Sequence, residues 1–273
     1  MKALEIIQRI DDGYDRDRRE VAREYIGASI VGHACDALLA FSLRGFPNEE
    51  PSARLKRIFQ LGHIMEAEIV KDLKARADVR VFETDGMTGK QHAYEEYGGH
   101  VVSHTDGHVQ LDDASDELMI LEIKTMNDAS FAKFKSSGVK RSHPQYYAQV
   151  QMMMGMSGFE RAFFIAVNKN TSEYHAEIVE ADPFEISFLK ERIARALDGR
   201  AVKVATDETD WRCRGCFKSG VCWGDRPVPA RCQTCAHAVP TADGWWHCDH
   251  HDRACPTTPC ESYERFTPRE RTK

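Results

Sequence analysis

Apolar and polar positions alternate with period two in several stretches of the chain. Asp106-Gly-His-Val-Gln-Leu111 alternates over the length of a short strand, and Leu118-Met-Ile-Leu-Glu-Ile-Lys124 is a run of β-formers. The acidic segment Asp112–Glu117 between them reads as a turn, so two short strands joined by a polar turn are predicted. Residues 78–110 are expected to form the first strands of a core sheet, through Val79-Arg-Val-Phe82 and then Gly98–His104, which leads into Asp106. Arg161–Asn168 and Glu173–Val179 predict a hairpin turned by Asn168-Lys-Asn-Thr-Ser.

Helical signals lie between and around these strands. Residues 1–27 read as charged helices packed outside the core. Ser29–Leu43 reads as one apolar helix with Ser29 as its N-cap, and Pro47–Ser52 as a loop. A long helix is predicted over about 53–76. Pro144 suits a first helical position, and the following segment to Gly155 places Tyr146, Val150 and Met153 on one face. Residues 182–199 predict an amphipathic helix capped at both ends, and 200–210 a linker. The implied class is α/β, with no internal repeat.

Composition narrows this picture. The chain has 273 residues, enough for one domain of about 200 residues and a small appendage. The predicted division is a helical segment at 1–28, a catalytic domain at 29–226 and a tail at 227–273. The formal charge of −6 does not advertise nucleic-acid binding, although a local basic patch and bound metal can supply the attraction. No stretch approaches the roughly 18 consecutive apolar residues of a membrane span, and the charged N-terminus has no apolar signal core. A cytoplasmic protein is expected. Eight of the nine cysteines follow residue 210, and in a reducing compartment such clustering points to metal rather than disulfides.

The chemistry concentrates between Ser103 and Lys124. Glu122 and Lys124 share one face of their strand, opposite Leu121 and Ile123. A carboxylate and an ammonium within an apolar strand are costly to bury without a task or a partner. Asp106 on the preceding strand completes a pair of carboxylates suited to a hard cation such as Mg²⁺, with Lys124 placed to orient water or stabilise developing charge. His100, His104 and His108 share parity with Asp106 and are read as lining the sheet surface or a nucleic-acid channel. Lys133, Lys135, Lys140 and Arg141 follow the strand and are candidate phosphate contacts, with Phe131 and Phe134 packing beneath them.

Asp106, Glu122-Ile-Lys124 and their surroundings resemble the PD-(D/E)XK nuclease superfamily, in particular its RecB-type and lambda-exonuclease-like branch, often encoded by phages. The resemblance spans about Ser29 to Cys222. It implies a restriction-endonuclease-like core, a central mixed sheet flanked by helices, with a cysteine-rich metal-binding appendage. It also implies Mg²⁺- or Mn²⁺-dependent DNA hydrolysis, more as an exonuclease than an endonuclease, in phage recombination, replication or repair. Metal ligation then falls to Asp106, Glu122 and the Ile123 carbonyl, joined by Glu66 from a Gly62-x-x-x-Glu66 element. Gln149 matches the Gln of a Gln-x-x-x-Tyr helix near the metal and DNA. Met153 stands where the family has Tyr, leaving that role empty or filled by Tyr146 or Tyr147. DNA is the implied partner, together with a recombination or single-strand annealing protein. The alternative is a non-cleaving nucleic-acid-binding protein of the same fold, against which the intact Asp/Glu/Lys set argues.

Cys213, Cys216 and Cys222 are one thiolate short of a closed four-thiolate site. The iron–sulfur branch of the superfamily, with its AddB-type and CRISPR adaptation nucleases, places one further cysteine ahead of the core, where Cys35 lies. This implies a [4Fe–4S] cluster on Cys35, Cys213, Cys216 and Cys222, with zinc as the competing occupant. The tail carries Cys232-x-x-Cys235, Cys248, Cys255 and Cys260, a strong sign of structural zinc. The expected ligands are Cys232, Cys235, Cys248 and Cys260, with Cys255 the main rival for the fourth place.

Overall fold

The structure is a computed structural model that describes residues 3–16, 22–77, 79–111 and 117–271. Most of the acidic turn expected at Asp112–Glu117 therefore lies outside the described residues. The chain begins with α1 (Ala3–Arg16), β1 (Ile26–Gly27), α2 (Ala28–Val31), α3 (Asp36–Leu43) and α4 (Ala53–Arg76). The strands β2 (Arg80–Phe82), β3 (Ala93–Glu96), β4 (Val101–His104), β5 (Gly107–Gln110) and β6 (Met119–Met126) follow. Next come α5 (Asp128–Ser142), α6 (Pro144–Ser157), β7 (Arg161–Asn168), β8 (Tyr174–Glu180) and α7 (Pro183–Leu197). The tail adds α8 (Ser219–Cys222), β9 (Ala238–Pro240), β10 (Trp246–Cys248) and β11 (Arg253–Ala254).

The expected α/β class and flanking helices are present. Five strands form a central mixed sheet in the order β2-β5-β6-β7-β8. Only β6 and β7 run parallel, because α5 and α6 cross over between them and return the chain to the same end. The alternation in β6 sorts its side chains as the sequence implied. Leu121 and Ile123 pack with Ile69, Val70 and Leu73 of α4, whereas Ile120 joins Phe164, Phe134 and the α6 residues Val150 and Met153 on the other face. Burying both faces of the central strands explains why β6 and β7 read as nearly continuous apolar runs.

Local signals set most boundaries. The Ser52 hydroxyl accepts from the Leu55 N–H and caps α4, Asn127 caps α5 through the Ser130 N–H, and Asp182 caps α7 through Phe184 and Glu185. The single helix expected over 29–43 is instead two. Gly32 sits so close to α6 that a Cβ there would meet Gln145 Cα at 2.7 Å. The Arg192 guanidinium holds the break open by donating to the Val31 and His33 carbonyls. The break leaves Cys35 in extended geometry as the N-cap of α3.

A second correction concerns the histidines. The chain changes sheets at Thr105: β4 pairs with β1 and β3, while β5 belongs to the central sheet. His100 and His104 therefore lie on a different sheet from Asp106, whereas His108 follows Asp106 by two positions at the start of β5. His100 is buried and bonds the Trp245 carbonyl at 3.1 Å. His108 is buried against His92 and Phe159 and bonds Tyr94 Oη at 2.7 Å. His104 is exposed at the end of β4.

The tail packs against the rest of the chain. Cys235, Ala238, Trp246 and Phe266 belong to the same buried cluster as Ile26, Phe41 and Phe46. The turn at Gly98 and the turn at Gly244 meet backbone to backbone, with no room for a side chain at either. Gly98 is also left-handed, at φ +63°. Gly98→Ala is therefore expected to destabilise the protein by about 1–3 kcal/mol and to release the tail. Urea unfolding together with limited proteolysis of the 227–271 region reads both effects, and wild-type stability with an intact tail would contradict the contact.

Candidate active site

Asp106 is fixed at the entry to β5 by two bonds to β6. Its N–H donates to the Leu121 carbonyl at 3.2 Å, and its Oδ2 accepts the Ile123 N–H at 2.7 Å. Glu122 lies next to it on β6, with only 1% of the residue exposed. Its Oε1 accepts Gln149 Nε2 from α6 at 2.8 Å and pairs with Lys124 Nζ. Glu66, on α4, bonds His63 Nδ1 at 3.2 Å and lies near enough to act on the charge of both Asp106 and Glu122. The structure thus brings Glu66, Asp106, Glu122, Lys124 and Gln149 together from four separate elements. Ile123 takes part through its N–H.

The electrostatics are those of crowded, partly desolvated carboxylates. Burial and the neighbouring Glu122 push Asp106 up to about 8, and Glu66 adds to the effect, against the pull of Lys124. Burial also raises Glu122, opposed by Lys124. Burial works against the Lys124 ammonium, yet Glu122 and Asp106 outweigh it and hold its pKa above the ordinary range. Three carboxylates facing one ammonium leave a site short of positive charge. Its donors are hard oxygens, the set that suits Mg²⁺ or Mn²⁺.

Tyr146 is the aromatic residue at this site. Lys124 Nζ lies 5.1 Å from its ring centroid, and His143 stacks on the ring at 5.4 Å. Tyr147 points away and bonds Asp182. Sequence left this choice open, because the two tyrosines are adjacent and only the helix phase separates them. Of the four basic candidates on α5, Lys135 pairs with Glu173 at 3.6 Å and Lys140 with Asp182 at 2.9 Å, both on exposed surface. Phe131 and Phe134 are buried beneath them.

Two further groups of side chains surround small cavities. Cys35, Cys213, Cys216 and Cys222 line one, with Arg212, Lys203 and Lys218 in its walls. Lys203 and Lys218 are both buried, and Lys203 Nζ lies 4.2 Å from the Trp223 ring centroid. All five tail cysteines, Cys232, Cys235, Cys248, Cys255 and Cys260, line the other with His237, His250 and His251. As the side chains are placed, no three His, Cys, Asp or Glu among the described residues converge closely enough to hold an ion. No helix among them is long and apolar enough to cross a membrane.

Residues 19–160 match the YqaJ-like viral recombinase domain, a stretch that contains Glu66, Asp106, Glu122, Lys124 and Gln149. The chain belongs to this family. Within the recombinase domain lie all the residues of the carboxylate site, whereas Cys213 and every later cysteine fall beyond it. Among curated proteins none matches. Solved structures similar to the chain include an alkaline exonuclease, LHK-Exo, from Laribacter hongkongensis. It shares 16% identity over 70% of this chain and 91% of that chain, at a TM-score of 0.49. A phage related exonuclease from Haemophilus somnus 129PT shares 14% identity over 63% of this chain and 91% of that chain, at a TM-score of 0.47.

The raised pKa of Asp106 fixes a sign. A carboxyl whose folded pKa lies above its unfolded value holds its proton longer in the folded state, so its contribution to stability falls as pH rises from about 4 to about 8. A divalent cation bound there would relieve the repulsion that costs this stability and would compete with the proton below pH 8. Mg²⁺ is therefore expected to raise the melting temperature more at pH 8.5 than at pH 6.5. Asp106→Asn should stabilise the metal-free protein at pH 8.5 by about 0.5–2 kcal/mol and abolish the Mg²⁺ effect. Thermal unfolding at the two pH values checks both, and equal Mg²⁺ shifts would count against the arrangement.

Proposed function

We propose that this recombinase-family protein is a Mg²⁺- or Mn²⁺-dependent deoxyribonuclease, acting from DNA ends as an exonuclease in recombination, replication or repair. The observation that carries the reading is the buried set of Asp106, Glu122, Lys124 and Gln149, with Glu66 near enough to act on the charge of both carboxyls. Membership of a viral recombinase family agrees with DNA as the substrate. A divalent cation held by Asp106 and Glu122, with Glu66 and the Ile123 carbonyl completing its shell, would supply positive charge to the scissile phosphate and acidity to a water.

The remaining work falls to the chain itself. Gln149 fixes the rotamer of Glu122 through its amide and keeps one carboxylate oxygen aimed into the site. Lys124 carries its ammonium at the end of a strand-borne stem, where Tyr146 limits its freedom and the raised pKa keeps it charged. It is placed to orient the attacking water and to stabilise charge as it grows on the phosphate oxygens. Lys133 and Arg141, with Lys135 and Lys140 beside them, offer α5 as a phosphate-binding face. The exposed ion pairs of Lys135 and Lys140 cost little to exchange for phosphate.

The cavity of Cys35, Cys213, Cys216 and Cys222 is proposed to take a [4Fe–4S] cluster, with zinc as the alternative. Its buried lysines would balance thiolate charge, and the occupant would tie the break between α2 and α3 to the segment after α7.

Glu122→Gln and Lys124→Ala are each expected to lower cleavage of end-labelled linear DNA by about 10²–10⁴-fold. DNA affinity measured in Ca²⁺ should change little. Neither variant should degrade covalently closed circles, and nor should the wild type if it acts from ends. Cleavage by either variant at the wild-type rate would refute the assigned site.

A further inference from the structure

Arg44 follows α3 and is 2% exposed, the largest of the fully buried side chains. Its guanidinium donates to three carbonyls of the tail, those of Gln233 at 3.0 Å, Cys235 at 2.8 Å and Ala238 at 2.9 Å. It is packed between the rings of Phe266, 4.0 Å away, and Trp246, 5.2 Å away. Its Nε has no hydrogen-bond partner among the described residues. None of these neighbours carries a negative charge. The groups nearest the guanidinium that can do so are the thiols of Cys235 and Cys255.

An arginine stays protonated in proteins, and an unpaired buried cation is strongly unfavourable. The other buried guanidinium in the core, Arg192, meets this demand with Asp36, at 2.8 Å. Arg44 has only thiols to turn to, and free thiols are mostly neutral at pH 7. A thiophilic metal ion changes that, because its ligands are thiolates and four of them around a divalent ion carry a net charge of −2. From this juxtaposition we infer that the tail cavity holds a tetrahedral Zn²⁺ on Cys232, Cys235, Cys248 and Cys255, and that Arg44 is the counter-charge of this centre.

The choice of Cys255 over Cys260 follows from the same side of the cavity. Cys255 lies beside Cys232 and close to Cys235 and Cys248. Its N–H bonds the Trp246 carbonyl at 2.8 Å, which locks it beside the ring that covers Arg44. Cys260 also lines the cavity, but its thiol is engaged with His251 Nε2 at 3.3 Å in an exposed contact. The sequence expectation is Cys260 with Cys255 as its rival, and the β10–β11 pairing, with Cys248 opposite Arg253, brings the chain back to the site at Cys255. The rotations that gather the four thiols are those of side chains already lining one cavity.

Residue-resolved alkylation of the full-length protein tests the assignment without any substitution. In the zinc-loaded protein, Cys260 should be modified at once, while Cys232, Cys235, Cys248 and Cys255 become reactive together only when a chelator is added. Cys255 reacting at once, or the four responding to reductant instead of chelator, would overturn the site. Followed on the same four peptides, Arg44→Met should release zinc to chelator about 10- to 100-fold more readily. Arg44→Lys, which keeps the charge, should hold it better than Arg44→Met. Equal release from these two variants, or wild-type retention by Arg44→Met, would remove Arg44 as the counter-charge.

Discussion

The structure depends on how Glu122 and Lys124 are accommodated inside the central sheet. A strand with apolar neighbours on both faces has little use for a carboxylate and an ammonium two residues apart. Here they neutralise each other, Gln149 satisfies the carboxylate, and Asp106 bonds the backbone between them. The parallel pairing of β6 with β7 and the crossover through α5 and α6 are what bring Gln149 and Tyr146 over that face. Shortening or reversing the crossover would strand the charges. The fold and the site are thus the same solution to one electrostatic problem, in which the carboxylates outnumber the ammonium.

Similar logic recurs away from the sheet. Each deeply buried cation in the helical layer has a stated partner. Arg192 meets Asp36 and two carbonyls at the α2–α3 break. Lys203 meets Glu270 at 2.7 Å, and Arg44 meets the tail. These contacts join segments about 70 to 190 positions apart. They explain why the tail behaves as part of the core, with Trp246 and Phe266 filling it, although it lies beyond the recombinase domain in sequence.

Much of this was legible in the residues. Period-two alternation put Glu122 and Lys124 on one face and Leu121 and Ile123 on the other. Pro144 and the Asp182 start marked two helix beginnings, because such signals act locally and need no tertiary context. What failed did so where the determinant is distant. Nothing near Gly32 announces that α6 passes within contact distance. The parity of His100 and His104 with Asp106 held as counting but not as geometry, since a change of sheet at Thr105 ended the strand. Tyr146 and Tyr147 differ by one step of helix phase, which the approach of Lys124 decides. Cys255 and Cys260 both follow Cys248 at usable spacing, and the return of β11 along β10, which bears on the choice between them, is not visible in sequence.

The central claim is that Glu66, Asp106 and Glu122 form one cation site beside Lys124. Anomalous diffraction from crystals of the full-length protein grown with Mn²⁺ tests it most directly. The account predicts a manganese peak in contact with both Asp106 and Glu122, within reach of Glu66 and on the Gln149 side of β6. Manganese bound elsewhere, with Asp106 and Glu122 free of it at saturating Mn²⁺, would contradict the account.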